Sequence, residues 1–318
     1  HHGARAALAH TGAAPAQDAV IDAALRRAGL LRVLTLQDLF LALQTVSRFR
    51  DNPGGALTIV TNGGGAGVLA ADAAADAGVV LAELTTATQQ ALAALLPPNA
   101  VCANPIDLVG DAPIARYLAV LQMLLPLSPD GALLLIHAPT AIVSAQQLAQ
   151  ALLPLLAQHP QRLMACWLGD TAVAGARALF EQAGVACYDT PEQAVRAYAM
   201  LQTYRRNHEL LLQAPALGDD VRVDTSALAQ VLAQALPAGR PPWLLEDAPT
   251  QALLSLCGVR WAEPAQAPVL AQAMRLRLVC QIDPWFGPVI ELAAAGWPFL
   301  ASTRAVALPP LNLSLIHI

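Results

Sequence analysis

From Leu57 to Leu212 the chain keeps alternating between short apolar runs and Ala/Leu-rich segments of helical period, and few architectures accept that rhythm. The pattern predicts strands at 57–61, 79–84, 131–137, 162–167 and 185–188. It predicts helices at 66–77, 86–96, 113–125, 144–158, 172–183 and 191–212. Short buried strands separated by helices of crossover length imply an α/β fold with a parallel, doubly wound sheet. Ligands of such sheets bind beyond the C-terminal ends of the strands.

Upstream, Ala16 to Ala28 and Thr35 to Arg48 carry apolar residues at helical spacing, with Gly29 set to end the first helix and Arg50 to Gly55 forming a loop. Beyond Ala214 the pattern weakens, because Pro237, Pro241, Pro242, Pro249, Pro264 and Pro268 interrupt it. Short helices at Ser226 to Leu236 and Thr250 to Leu256 and a strand at Arg277 to Ile282 are expected there, too few elements to close a core.

A chain of 318 residues accommodates about two domains. With 56% hydrophobic but only 4% aromatic residues, it favours helix-rich packing over a β-sandwich. No apolar run approaches the roughly 18 residues that span a bilayer, so a soluble, cytoplasmic protein is expected. The net charge of -5 comes without blocks of like charge, which argues against nucleic acid and membrane partners. All 18 basic residues are arginine, excluding any chemistry that needs a lysine ammonium. The five cysteines are dispersed and no His/Cys spacing suits a metal, so no metal site is expected. The first residues do not form a signal peptide, and the absence of an initiating Met suggests a start partway through a longer protein.

The chemistry concentrates where the first predicted strand empties into Asn62-Gly63-Gly64-Gly65-Ala66-Gly67. Glycine permits close approach of an anion, and the N–H groups and dipole of a following helix attract it. Asn62, Gly63, Gly64, Gly65 and Gly67 are therefore the phosphate-binding candidates, although a permissive strand-to-helix turn would look the same. The run matches neither the dinucleotide fingerprint nor the P-loop. His10, in the small-residue loop Ala9-His10-Thr11-Gly12, is either a solvent-facing histidine or a nucleophile that accepts a phosphoryl group. In Asn104-Pro105-Ile106-Asp107-Leu108-Val109-Gly110-Asp111, read as a turn, Asp111 is expected to cap the next helix, while Asp107 and Gly110 are candidate site residues. Gly169-Asp170-Thr171 reads as a capped turn. His137, His159 and His208 read as core or surface histidines, and Arg205-Arg206 as complements to a helix dipole.

These motifs, in this order, resemble the NDP-forming acyl-CoA synthetase superfamily, the relatives of succinyl-CoA synthetase. The likeness runs through Ala9-His10-Thr11-Gly12-Ala13, Arg27-Ala28-Gly29-Leu30-Leu31-Arg32-Val33, Thr61-Asn62-Gly63-Gly64-Gly65 and Asn104-Pro105-Ile106-Asp107. It continues through Tyr204-Arg205-Arg206-Asn207, Asp283-Pro284-Trp285-Phe286-Gly287-Pro288 and Ala307-Leu308-Pro309-Pro310-Leu311-Asn312. The pattern is most similar to that of bacterial bifunctional acetate-CoA ligase/GNAT acetyltransferase proteins. The resemblance implies a nucleotide-dependent interconversion of acyl-CoA and phosphate, with His10 as the phosphohistidine and the loop from Asn62 to Gly67 as one of the helix ends that hold it.

It also implies a division into 1–50, the tail of a succinyl-CoA-synthetase-like domain, 51–213, a flavodoxin-like ligase domain, and 214–318, an ATP-grasp remnant. CoA and ATP/ADP with Mg would serve the parent protein, small molecules being its partners, and homo-oligomerisation is left open. The departures are specific. The CoA-binding domain and the acidic partner of the histidine belong upstream of residue 1, and the sequence jumps across most of the ATP-grasp site between Gln272 and Arg275. The residues after Leu313 leave the family pattern. The resemblance thus implies a ligase fragment, with the alternative of a regulatory, acyl-CoA-sensing part of a GNAT protein lysine acetyltransferase.

Overall fold

The computed structural model describes residues 17–98, 100–127, 130–159, 161–212, 224–236, 245–258, 275–295 and 304–309. The chain divides into two compact units, Leu25–Leu211 and the remainder.

In the larger unit, α2 (Leu36–Arg48) precedes the alternation β1 (Leu57–Thr61), α3 (Gly64–Ala77), α4 (Thr86–Leu95), β2 (Ile106–Asp107), α5 (Ile114–Leu124) and β3 (Ala132–His137). It continues through α6 (Ala145–Gln158), β4 (Leu163–Trp167), a 3-10 turn (Thr171–Val173), α7 (Ala174–Gln182), β5 (Ala186–Tyr188) and α8 (Pro191–Leu212). Five parallel strands lie in the order β2-β1-β3-β4-β5, the flavodoxin-like winding expected from the sequence. Strands β1, β3, β4 and β5 are buried along their whole length, which is why they read as continuous apolar runs. Alternate residues feed two cores. Val60, Leu133, Leu135, Ala165 and Trp167 pack beneath α4 to α7, whereas Ile59, Leu134, Ile136, Met164 and Cys166 pack against the end of α2, α3 and α8.

Helix α2 is fixed to this sheet by polar contacts. Thr45 Oγ1 lies 2.7 Å from the buried Tyr188 hydroxyl, Arg48 donates to Val185 O at 2.7 Å, and Arg196 pairs with the buried Asp38 at 2.6 Å. Gly29 adopts φ 71°, and a Cβ there would stand 2.8 Å from Leu211 Cδ2, so glycine ends the first helix for steric reasons too.

Several expectations are corrected. The predicted strand at 79–84 is reduced to one bridge, Leu57 to Leu81. The Asn104 side chain occupies the adjoining edge of β1, accepting from Ile59 N at 2.9 Å and donating to the carbonyls of Leu57 and Ala82 at 2.8 and 3.0 Å. The stretch read as a turn holds the short strand β2, paired to β1 at Val60 and Thr61. Arg205 lies within α8 rather than at its end, and the helix end it complements is that of α2, where it donates to the carbonyls of the C-cap Phe49 and of Arg50.

The other unit contains α9 (Thr225–Ala235), α10 (Asp247–Leu256) and an antiparallel sheet, β6 (Arg275–Asp283), β7 (Gly287–Ala295) and β8 (Arg304–Ala307). Val289 and Val306 pack with Val20 and Ala23 of α1 (Asp18–Arg27). Leu278 and its β7 partner Leu292 are exposed, as is Ile282. Strands β7 and β8 were not expected from the sequence.

Candidate functional site

The topology reverses direction between β1 and β3, and there a doubly wound sheet opens its ligand crevice. Helix α3 starts at this point, two residues earlier than the sequence predicts, so Gly64 and Gly65 form its first turn. Gly63 is the N-cap, with no side-chain cap. Its amide donates to Thr61 Oγ1 at 3.0 Å, the Thr61 hydroxyl donates to Gly63 O at 3.1 Å, and the amides of Ala66 and Gly67 both return to Gly63 O. The amides of Gly64 and Gly65 have no acceptor among the described residues, both residues are exposed, and the first turn carries no acidic side chain. Two donors and the positive end of a 14-residue helix are therefore open.

Asn62 and Gly67 shape this end. The Asn62 side chain is spent on Ala138, donating to its carbonyl at 2.8 Å and accepting from its amide at 2.7 Å. A Cβ on Gly67 would approach Thr61 Cγ2 at 3.1 Å and Pro105 Cβ at 3.4 Å, so glycine lets the helix lie against the end of β1. Thr61 and Ala138 were missed by the sequence reading; the only signal was a hydroxyl residue closing the strand beside Asn62.

Asp107 arrives from β2, set opposite Thr61. Its Oδ1 accepts from Val109 N at 2.9 Å, with Val109 at φ 68°, and its Oδ2 lies 3.1 Å from where a Gly64 Cβ would stand. Gly110 is nearby, a Cβ there lying 3.8 Å from Asn62 O, an ordinary contact. Asp111 does not cap the following helix: Pro113 holds the N-cap position, and Asp111 pairs with Arg116 at 2.7 Å. Asp170 likewise makes no capping bond, and Arg177 closes that loop through Trp167 O at 3.0 Å and Asp189 at 2.6 Å. His10 lies outside the described residues.

His137, at the end of β3, is fully buried, with Nδ1 3.0 Å from the Tyr117 hydroxyl and its ring 5.3 Å from that of Trp167. Burial pushes its pKa down to about 4, keeping the imidazole neutral near neutral pH. It belongs to the core under α5 to α7, the opposite side of the sheet from α3. No group of three or more His, Cys, Asp or Glu that could hold a metal ion occurs among the described residues, and no helix there is long and apolar enough to cross a membrane.

Comparison with known proteins gives these features a family. Residues 57–211 match the Ligase-CoA domain and residues 1–46 the succinyl-CoA ligase like flavodoxin domain. An ADP-forming acetate-CoA ligase of Methanocaldococcus jannaschii is 32% identical over 206 residues, 64% of this chain and 29% of its own length. An ADP-forming 4-hydroxybutyrate-CoA ligase of Nitrosopumilus maritimus is 26% identical over 245 residues, 77% of this chain and 34% of its own length. Among solved structures, acetyl-coenzyme A synthetase 1 of Ca. Korarchaeum cryptofilum, in complex with phosphate and ADP, superposes with a TM-score of 0.62 at 30% identity, covering 68% of this chain and 47% of that one. The chain thus spans about a third of these curated relatives and about half of the solved one. Its parallel sheet, the glycine turn at the switch point and the two adjoining domain matches make this chain a member of the NDP-forming acyl-CoA synthetase superfamily.

Proposed function

We propose that this chain is part of an NDP-forming acyl-CoA ligase and that the start of α3 steadies a phosphoryl group carried by His10. The observation that carries the reading is the pair of open amides, Gly64 and Gly65, on a helix end without its own acidic residue, at the β1/β3 switch point. It is supported by the Korarchaeum relative, whose structure holds phosphate and ADP, and by relatives named as ADP-forming CoA ligases. The substrates would be phosphate, a nucleotide and acyl-CoA, in the cytoplasm.

On this reading residues 1–50 and 51–213 belong to two adjoining ligase domains and 214–318 to an ATP-grasp remnant. The described residues do not fit a nucleotide and Mg site, since the chain has no lysine and no carboxylate cluster occurs among them. Those groups are assigned to other parts of the ligase. The imidazole of His10 would take the phosphoryl group as a nucleophile, and the α3 amides would neutralise charge on its oxygens without a side-chain cation.

The test supplies the chain with the nucleotide- and CoA-binding parts of a related ligase and nucleotide labelled in its terminal phosphoryl group. Acid-labile label on His10, lost in His10→Ala, is expected. Equal labelling of both proteins, or none, overturns the reading.

A further inference from the structure

We propose that the open edge of β6 is a docking surface for a second copy of this chain, the two β6 strands pairing antiparallel about Cys280 into one continuous sheet. The proposal stands apart from the reading of the glycine turn. Strand β6 is the outer strand in the order β6-β7-β8, and among the described residues its other edge meets no strand. Pro288, opposite Ile282, has no N–H to give, which makes that pair a non-bonded rung of the β6–β7 ladder. By alternation the N–H and C=O groups of Leu278, Cys280 and Ile282 point away from β7, into the open edge.

Folded proteins blunt such edges with lysine, proline or a bulge. Here the chain contains no lysine, β6 contains no proline, and its register with β7 runs without interruption from the pair of Arg275 and Ala295 to that of Asp283 and Gly287. The side chains are uncovered as well. Leu278, Cys280 and Ile282 share one face of the sheet and all three are exposed, whereas on the opposite face Val289 packs with Val20 and Ala23 of α1.

The order of residues along the strand selects the occupant. A two-fold axis normal to the sheet at Cys280 puts Arg277 opposite Asp283 of the copy, Leu278 opposite Ile282, Val279 opposite Gln281 and Cys280 opposite itself. On the exposed face each apolar side chain then meets an apolar one, and at both ends of the paired segment a positive charge meets a negative one. Arg277 is exposed and makes no ion pair among the described residues. Asp283 spends Oδ1 on the amides of Trp285 and Phe286, at 2.9 and 3.0 Å, and keeps Oδ2 for a guanidinium. Any extended chain supplies backbone partners; the self-complementary run of side chains is what selects a second copy. Because the pairing consumes both β6 edges, it closes at two copies.

The experiment is sedimentation equilibrium of the full chain over a range of concentrations under reducing conditions, with a parallel sample cross-linked by a short bis-maleimide and its linked peptides mapped. A monomer–dimer equilibrium and a link from Cys280 to Cys280 are expected. Arg277→Asp sets like charges against each other at both ends of the segment and is expected to raise the dissociation constant at least about tenfold. The exposed position leaves the hairpin itself undisturbed, and a circular dichroism spectrum matching that of the parent chain verifies this. A chain that stays monomeric, a dimer linked only through the exposed Cys257, or a dimer that Arg277→Asp leaves unweakened overturns the proposal.

Discussion

Asn62 and Ala138 exchange two hydrogen bonds across the β1/β3 crevice, Nδ2 to the carbonyl at 2.8 Å and the amide to Oδ1 at 2.7 Å. The side chain imitates a peptide and adds one rung to the ladder beyond Thr61, which sets where the loop turns and where α3 begins. Asn62→Asp turns the donor facing the Ala138 carbonyl into an acceptor. Loss of about 1 to 3 kcal/mol in urea unfolding is expected, together with displaced Gly64 and Gly65 amide resonances.

The glycines of this turn separate into two kinds. Nothing lies within 4 Å of a Cβ on Gly65, whereas one on Gly67 meets Thr61 and Pro105, both held by the sheet edge. Gly65→Ala is therefore expected to gain about half a kcal/mol from helix propensity. Gly67→Ala is expected to lose about 1 kcal/mol, crowding outweighing propensity. Thermal unfolding of the two variants checks the opposite signs.

Stability should fall in acid through His137. The folded chain holds its pKa near 4 against an ordinary 6.5, so below pH 6.5 the unfolded chain binds a proton that the folded chain refuses. The contribution is complete above that value and declines as pH drops towards 4, by up to about 3 kcal/mol. Urea midpoints across this window should slope in the parent chain and flatten in His137→Gln.

Thr45 ties α2 to β5. Its hydroxyl donates to Leu41 O at 2.7 Å, which leaves its oxygen to accept from the Tyr188 hydroxyl, also at 2.7 Å. Thr45→Val keeps the shape but strands the buried phenol. A cost of about 1 to 3 kcal/mol is expected in chemical denaturation, and Thr45→Val combined with Tyr188→Phe should recover part of it.

Burial explains what could be read in advance. Strands β1, β3 and β4, covered on both faces, appear as unbroken apolar runs whose ends differ from the structure by at most a residue. Segment 79–84 is also mostly apolar but meets a side chain, Asn104, where a strand was expected, and no local pattern announces a competitor from 22 positions beyond Ala82. Gly64 and Gly65 were read as a loop because glycine disfavours helix interiors, yet the first turn has few intrahelical bonds to weaken. Strand β7 was hidden by Gly287-Pro288 and by the alanines 293–295, poor β-formers carried by pairing with β6 and β8. In the candidate site the glycine turn and Asp107 were legible as residue types. Their relation was not, because it is made by β1–β2 pairing.

The rung formed by Asn62 also has a chemical lifetime. An asparagine followed by glycine is the dipeptide most open to attack by the next backbone nitrogen on its own side-chain amide, and Asn62 precedes Gly63. Held at both ends by Ala138, the amide is kept from the geometry that attack requires. A molecule that loosens here would convert Asn62 to aspartate or isoaspartate, placing a permanent negative charge at the mouth of the helix. Ageing of the protein would then register as a failing welcome for anions together with a weakened β1/β3 edge.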